Sequence, residues 1–228
     1  MIRIVHPLLE EVIQIKRGEI VSLVIESNYE FYKMNFELNN AINNKEECSF
    51  VFSFNDKTLI PSKDIFIINN IPSFDINDKR IQSALLKAII NNERSLDIEQ
   101  ELQENNIKMY KTLKCLLKDF DFDIELNESP ELKKILSAFE ISIDCERTFK
   151  INDLLNWLNI IHELINPNLI IINSFNNFYS EKSLFLLQQE VSNTDWHILF
   201  LENTATKKFV CKQYIYDDDN CYIKASEI

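Results

Sequence analysis

The chain of 228 residues contains a single glycine, Gly18, and this scarcity excludes the common nucleotide-binding loops. Glycine normally makes up about 7% of a protein. Loops that bind phosphate need it because its backbone can take up positive φ and approach the phosphate closely. Neither GxxxxGK[ST] nor GxGxxG occurs in the sequence. We therefore predict no nucleotide-binding residues of the usual kind.

Cysteine lacks the spacing of a zinc site or a disulfide framework. No CxxC pair occurs, and the number of cysteines is odd; they are Cys48, Cys115, Cys145, Cys211 and Cys221. Reduced thiols of this kind are typical of a cytosolic protein. The sequence MIRIVHPLLEEV meets charge too early for a signal peptide. No apolar run approaches the ~18 residues of a membrane span. We therefore expect a cytoplasmic protein that does not contact a membrane.

Positive charge is also scarce, because the formal net charge is −12. Duplex DNA is bound mainly by neutralising its phosphates, so only a local basic surface would allow this chain to bind nucleic acid. The hydrophobic content of 46% and charged content of 26% are those of a globular protein. The length fits one or two domains.

The stretch EIVSLVIESNYEFYK, residues 19–33, has the order strand, turn and helix with which many nucleotide-binding domains begin. Its turn, Glu26-Ser27-Asn28, contains no glycine, lysine or threonine. The predicted strand NLIIIN ends in Asn173, where an NTPase of this topology places a metal-binding aspartate. Both observations predict a fold like that of a nucleotide-binding domain without the residues that bind phosphate and metal.

Strands and helices alternate at both ends of the chain, which predicts an α/β layer with a mostly parallel sheet. We predict strands at 2–5, 12–15, 20–25, 49–54, 64–69, 141–143, 168–173 and 196–202, and a hairpin around 217–220. Predicted helices span 29–42, 78–118 with a break at 91–92, 130–138, 151–165 and 180–191. The predicted domains are an α/β head, residues 1–74 and 141–228, and an inserted helical leg, residues 75–140.

A lysine stripe follows one side of the predicted leg helix. Helical spacing places Lys108, Lys111, Lys114 and Lys118 on one face, and it places six apolar residues on the opposite face, which we expect to be buried: Ile98, Leu102, Met109, Leu113, Leu116 and Phe120. Residues 79–118 contain eight basic and five acidic residues. The stripe is either a solvated face or a non-specific contact with DNA phosphates.

The segment DFDFDIELNESPE, residues 119–131, alternates acidic and apolar residues. In an extended conformation it places Asp119, Asp121, Asp123 and Glu125 on one face. Such carboxylates repel one another unless a cation neutralises them, and oxygen ligands suit Ca²⁺. The segment is not an EF-hand, because Ile124 or Leu126 occupies the position that requires glycine. A half-exposed strand with a solvated acidic face is the alternative.

No catalytic constellation stands out. His162-Glu163 lacks the second histidine of HExxH, and neither GxSxG nor a Cys/His dyad is evident. His6, His162 and His197 therefore fit ordinary core or surface positions. We predict no catalytic residues.

Several stretches together resemble the CRISPR-associated spacer-acquisition accessory proteins of type II-A systems. The matching stretches are HPLLEEVIQIKRGEIVSLVIES (6–27), KCLLKDFDFDIE (114–125), LIIINSFNNFYSEKSLFLLQQEV (169–191), HILFLE (197–202) and YIYDDDNCYI (214–223). The resemblance implies a degenerate P-loop ATPase-like head, a helical leg and no enzymatic activity. It further implies a calcium-stabilised homotetrameric ring that binds ends of double-stranded DNA without sequence preference. Other CRISPR adaptation proteins and the effector nuclease are the expected partners.

The resemblance also implies site residues. The family's calcium-binding region matches best at Asp121, Asp123, Glu125 and Glu131, with Asp119 and Glu128 as alternates. The lysine stripe lies in the leg, where residues that face DNA are expected. Four further basic residues are DNA-binding candidates: Lys133, Lys134, Arg147 and Lys150.

Two other classes of function remain open from the residues. The carboxylates could bind Mg²⁺ in a metal-dependent nuclease. Alternatively, the ATPase-like shell could serve as an interaction scaffold that does not contact DNA.

Overall fold

The computed structural model describes residues 1–228 except 93–94, 118–119, 121–123, 129, 146, 206–210, 220 and 225–228. The chain forms two compact units. Met1–Phe74 and Glu146–Ile228 form one, which we call the head unit; Asp75–Cys145 forms the other, which we call the leg unit.

The described residues form ten strands and seven α-helices. The strands are β1 (Ile2–Val5), β2 (Ile13–Ile15), β3 (Glu19–Ile25), β4 (Val51–Phe54), β5 (Lys57–Thr58), β6 (Ile65–Ile68), β7 (Leu169–Asn173), β8 (His197–Glu202), β9 (Lys212–Tyr216) and β10 (Tyr222–Lys224). The helices are α1 (Asn28–Asn39), α2 (Pro61–Asp64), α3 (Lys79–Ile90), α4 (Ser95–Leu116), α5 (Leu132–Ala138), α6 (Ile151–Leu164) and α7 (Glu181–Val191). A π-helical turn, Asn40–Asn44, continues α1, and a 3₁₀ turn, Phe175–Asn177, follows β7.

Two sheets build the head unit. The larger has the order β10-β9-β3-β8-β7-β6, in which the five strands from β9 to β6 are parallel and β10 is an antiparallel edge. The smaller sheet, β2-β1-β4-β5, is antiparallel throughout. The α/β class with a mostly parallel sheet is therefore confirmed, as is the predicted hairpin of β9 and β10.

One core cluster of the head unit contains residues of both sheets, and helices α6 and α7 bury further apolar residues. Strand β1 alternates buried and exposed residues, so it turns one face to the core, whereas β3 is buried almost along its whole length. Two tyrosine hydroxyls of β9 also accept hydrogen bonds from β2 of the smaller sheet and from the segment just before it. Tyr214 accepts from the Gln14 backbone N–H and Tyr216 from that of Glu11, each at 3.2 Å. Apolar burial and these polar contacts together fix the sheets to each other.

Helix α3, the first helix of the leg unit, is capped at its N-terminus by a side chain. The Asp78 carboxylate accepts hydrogen bonds from the backbone N–H groups of Arg80 and Ile81, at 2.8 and 2.9 Å. The break predicted at 91–92 is confirmed, because α3 ends at Ile90 and α4 begins at Ser95.

Residues 141–143 do not form the predicted strand. The side chain of Asn77 bonds to both backbone groups of Ile143: its Oδ1 accepts from the N–H at 2.7 Å, and its Nδ2 donates to the carbonyl at 3.0 Å. A single side-chain amide thus replaces the partner strand. The apolar alternation of ISI predicts a strand, but the sequence pattern does not reveal the contact with Asn77 that takes the place of strand pairing.

Helix α4 does not bury the apolar face that its sequence pattern predicts. Asn106 is its only buried residue among those whose side chains are described. The apolar residues of the predicted face, apart from the half-buried Leu102, are exposed: Ile98, Met109, Leu113, Leu116 and Phe120, which follows the helix. The expectation of a buried face is therefore wrong for the single chain, because within it the helix packs through a neighbouring side.

None of the five cysteines, all of which are described, forms a disulfide bond. No helix in the described part of the chain has the length and apolar character that a bilayer crossing requires.

Candidate functional site

The turn between β3 and α1 binds to its own protein neighbours. The Glu26 backbone N–H donates to the Tyr216 carbonyl at 2.9 Å, and the Asn203 side chain donates to the Ile25 carbonyl at 2.8 Å. Residues 26–28 include none with positive φ. A phosphate cradle depends on such residues to converge its N–H groups. This turn therefore has the position of a phosphate loop and lacks its backbone geometry.

The lone glycine has a structural role elsewhere. Gly18 adopts φ +68° in the turn before β3. A Cβ atom at this position would lie 3.0 Å from the Ser192 carbonyl oxygen and 3.2 Å from that of Thr194. The Gly18 N–H donates to the Trp196 carbonyl at 2.9 Å. Gly18 thus serves close packing against the segment that enters β8.

Asn173 ends β7 in a cluster of side-chain amides. Its Nδ2 donates to Oδ1 of Asn35 and, at 2.9 Å, to Oδ1 of Asn69. Asn69 and Asn39 also exchange hydrogen bonds through their amides. Asn173 is only 4% exposed, and its Oδ1 has no hydrogen-bond partner among the described residues. An unsatisfied buried carbonyl oxygen costs about 1–3 kcal/mol.

Glu202, at the end of β8, carries a strongly perturbed carboxyl. It is 1% exposed, and burial raises its pKa to about 8. Backbone N–H groups of Phe175 and Asn176 partly offset this rise, the latter at 3.3 Å from Oε1. Cys211 is half-buried near this carboxyl, and the burial of its own thiol raises the pKa of that thiol to about 12. This carboxyl therefore stays largely protonated at neutral pH, as does the thiol.

The lysine stripe is exposed where the structure describes it. Lys108, Lys111 and Lys114 all lie on the surface of α4. The Lys114 ammonium lies 3.5 Å from the Tyr110 hydroxyl and 5.5 Å from the centre of its ring. Lys118 lies outside the described residues.

The other predicted basic residues divide between the two units. Lys133 and Lys134 are exposed on α5 of the leg unit, whereas Arg147 and Lys150 are exposed before α6 in the head unit. The Arg147 guanidinium donates to the carbonyls of Phe74, at 2.7 Å, and Pro72, at 3.4 Å. Arg147 thus has a structural contact that the sequence did not indicate.

The predicted calcium residues are described only in part. Asp119, Asp121 and Asp123 lie outside the described residues. Glu125, Glu128 and Glu131 are exposed, and the Glu131 side chain does not cap α5 although it stands at the cap position. The described residues contain no group of three or more acidic, histidine or cysteine side chains that could hold a metal ion.

The three histidines occupy structural or surface positions. Burial lowers the pKa of His6 and of His197, and for His6 the neighbouring Glu37 opposes the shift. His162 is partly exposed, with Nε2 3.4 Å from Asp195 Oδ1. None of them pairs with a nucleophile in the contacts that the structure describes.

The asparagine cluster is the feature that sequence reasoning missed. The sequence indicates only that Asn173 stands in place of a metal-binding aspartate. Asn35 and Asn39 lie one helical turn apart on α1, and Asn69 follows β6 just as Asn173 ends β7. Residues at the carboxyl ends of neighbouring parallel strands meet at one edge of a sheet, so the pair Asn69 and Asn173 could have been anticipated.

Comparison with solved structures supports the fold. The crystal structure of Stu0660 of Streptococcus thermophilus superposes with a TM-score of 0.55 at 15% identity, covering 87% of this chain and 68% of that one. CbiO1 from Clostridium perfringens, part of the ABC transporter complex cbiONQ, gives a TM-score of 0.47 at 11% identity, with 93% and 78% covered. At these identities the first likeness shows the fold alone, and we draw no inference from the second.

Sequence comparison gives one partial match and one that covers most of the chain. Mitogen-activated protein kinase 6 of Arabidopsis thaliana is 32% identical over 97 residues, which is 40% of this chain. The chain spans only 22% of the kinase, so this match assigns no activity. The CRISPR-associated protein family Cas_Csn2, in contrast, matches residues 42–220. The chain therefore belongs to the Csn2 family of CRISPR-associated proteins, which confirms the resemblance stated from the sequence.

Proposed function

We propose that this protein is a non-enzymatic accessory factor of type II-A CRISPR spacer acquisition that binds double-stranded DNA ends as a homotetrameric ring. Family membership establishes a CRISPR-associated role. The observation that carries the DNA contact is the exposed lysine stripe on α4 of an otherwise acidic chain. Other adaptation proteins and the effector nuclease are the partners that this role requires.

The lysine stripe provides phosphate contacts without base recognition. Lys108, Lys111 and Lys114 succeed one another along one exposed side of α4, about one helical turn apart. An ammonium is a point charge that neutralises phosphate and carries no sequence information. A closed ring repeats such a strip around one axis, so four copies act on one duplex although each chain carries a net charge of −12.

The exposed apolar face of α4 supports assembly. Met109, Leu113 and Leu116 are exposed on the side of α4 opposite the lysines, and exposed apolar residues that share one side of a helix mark an interface. Glu101 and Glu104 share the lysine side of the helix and not the apolar side. Two copies that pack through the apolar side would form a self-complementary contact and leave the lysines available to DNA.

Calcium is proposed to stabilise this assembly. The candidate ligands are all carboxylates, which are the donors that Ca²⁺ prefers, and the described ones, Glu125, Glu128 and Glu131, are exposed. These three do not form a site by themselves. The proposed site therefore requires Asp121 and Asp123, with Asp119 as an alternate. Bound calcium would neutralise carboxylates that otherwise repel one another.

The DNA contact is tested by reversing charge in the stripe. Lys111→Glu combined with Lys114→Glu should lower affinity for a linear duplex about tenfold or more and reduce the dependence of binding on salt. Gel shift over a series of salt concentrations measures both. Lys16→Glu combined with Lys182→Glu, at exposed head-unit positions, changes the net charge equally and should leave affinity within about threefold.

The same assay distinguishes the other functions. A threaded ring should retain linear DNA and fail to load onto closed circles. Equal loss in both double variants would show that net charge, and not the stripe, governs binding. Cleavage of plasmid in Mg²⁺ would favour a nuclease, and absence of DNA binding in the unaltered protein would favour a scaffold.

A further inference from the structure

A groove of about 460 Å³ lies beside α1, at the carboxyl ends of β6 and β7. In open α/β sheets, ligands bind in crevices at this edge of the sheet. The volume falls within the range of small-molecule sites. The degenerate turn at residues 26–28 is not part of the groove lining. The groove is therefore suited to a ligand that binds without contacting the turn at residues 26–28.

Amide groups form the polar part of the groove. Asn35, Asn39, Asn69 and Asn173 all line it, and they are joined by hydrogen bonds. Within this network the deeply buried Asn173 keeps an Oδ1 atom without a partner among the described residues. A buried acceptor without a partner can accept a hydrogen bond from a ligand donor.

Aromatic rings form the apolar part. Tyr32 and Phe36 line the groove, and their rings lie nearly parallel, 20° apart with centroids separated by 6.3 Å. Tyr32 is 69% exposed, and Phe36 is also exposed. Exposed, parallel aromatic rings on a regular helix suit stacking by another flat ring.

Among the described residues that line the groove, none carries a charged side chain. A phosphate or carboxylate there would lose hydration without gaining a counter-charge, and a free cation would find only neutral oxygens. The favoured ligand is neutral and planar and has donors and acceptors along its edge. A nucleobase has these properties, and asparagine amides recognise base edges through paired donor and acceptor contacts.

We propose that this groove binds a nucleobase, presented either by a free nucleoside or by an unpaired nucleotide of a DNA strand. The base stacks on Tyr32 or Phe36 and meets the asparagine amides with its edge. A peptide segment is less well matched because its backbone offers no flat ring to the aromatic pair. The proposal stands apart from duplex binding, since a nucleoside carries no phosphate for the lysine stripe.

Isothermal titration calorimetry of the full chain tests the proposal. Adenosine, guanosine, cytidine and thymidine are titrated separately, followed by ATP with Mg²⁺ and by a single-stranded oligonucleotide. We expect saturable binding of at least one nucleoside, or of the oligonucleotide alone if only a strand presents the base. Tyr32→Ala should weaken that binding about tenfold, the usual loss for one stacking contact.

Tyr29→Ala is the matched control, because Tyr29 is an equally exposed tyrosine of α1 that does not line the groove. It should leave binding within about twofold. Asn173→Leu should abolish binding; if that variant does not fold, Asn69→Ala at an exposed position replaces it. Absence of binding by every nucleoside and the oligonucleotide would overturn the proposal. Equal loss in the two tyrosine variants would also overturn it, as would ATP binding tenfold tighter than adenosine.

Discussion

The head and leg units differ in where their apolar residues lie. The head unit buries apolar side chains from both of its sheets and from the helices around them. In the leg unit, Ile76, Ile81 and Asn106 are the only buried residues among those whose burial the structure describes. A unit without a sizeable core gains little from the hydrophobic effect by itself.

The two units therefore depend on different contacts for their stability. The head unit covers its apolar side chains with its own residues. Phe175 and Phe200, for example, stack with ring centroids 4.5 Å apart. The leg unit presents Met109, Leu113 and Leu116 to its surroundings. A protein partner or a second copy is the usual way to cover such a surface.

The same substitution in both units should give the largest contrast. Phe200→Ala removes a ring that is 1% exposed and should lower the free energy of unfolding by about 3–5 kcal/mol, the usual loss for a buried phenylalanine. Phe139→Ala removes a leg-unit ring that is 76% exposed and should change it by less than about 0.5 kcal/mol. Urea unfolding followed by circular dichroism measures both. Losses of similar size would contradict the contrast.

A buried carboxyl that titrates at an unusual pH should make the stability of the head unit sensitive to pH. The pKa of Glu202 in the folded protein is about 8, above its ordinary value of 4.5. Between these pH values the unfolded chain releases the proton and the folded chain retains it, so stability falls as pH rises. Glu202→Gln removes this effect and should be more stable than the unaltered protein by about 4 kcal/mol at pH 8, and by little at pH 4.5.

Unfolding in urea across this pH range measures the effect of Glu202. Glu190→Gln, an exposed position on α7, is the control and should follow the unaltered protein. Stability curves for Glu202→Gln that run parallel to those of the unaltered protein would show that the carboxyl is ionised in the fold.

The head fold could be predicted because its signals are local. Mainly apolar runs such as IVSLVI and LIIIN predict β3 and β7, and the scarcity of glycine predicts the altered phosphate turn. The predicted strand at 141–143 was wrong because its outcome depends on one distant side chain, that of Asn77. Periodicity reports which residues can share a face, and long-range contacts decide which partner that face meets.

The candidate sites show the same division. The lysine stripe follows from helical spacing, and its described members are exposed as a stripe requires. The asparagine groove joins residues of α1, β7 and the end of β6, which only the topology of the sheet brings together. The sequence pattern correctly predicts an apolar face on α4 and wrongly predicts that this face is buried in the chain, because periodicity shows which residues share a face and not what covers them.

The exposed face of α4 offers the last test, in which folding should not change and assembly should. Leu116→Asp places a charge on this face and should reduce the association constant of the subunits about tenfold or more, since an interface core excludes unpaired charge. Leu186→Asp, at an exposed helix position of the head unit, is the matched control. Light scattering at several protein concentrations, with calcium or with a chelator, measures subunit number. If calcium stabilises the proposed ring, the chelator should release subunits from the unaltered protein and from Leu186→Asp. Dissociation by Leu186→Asp alone would move the interface to the head unit, and an intact tetramer for Leu116→Asp would remove this face of α4 from the assembly.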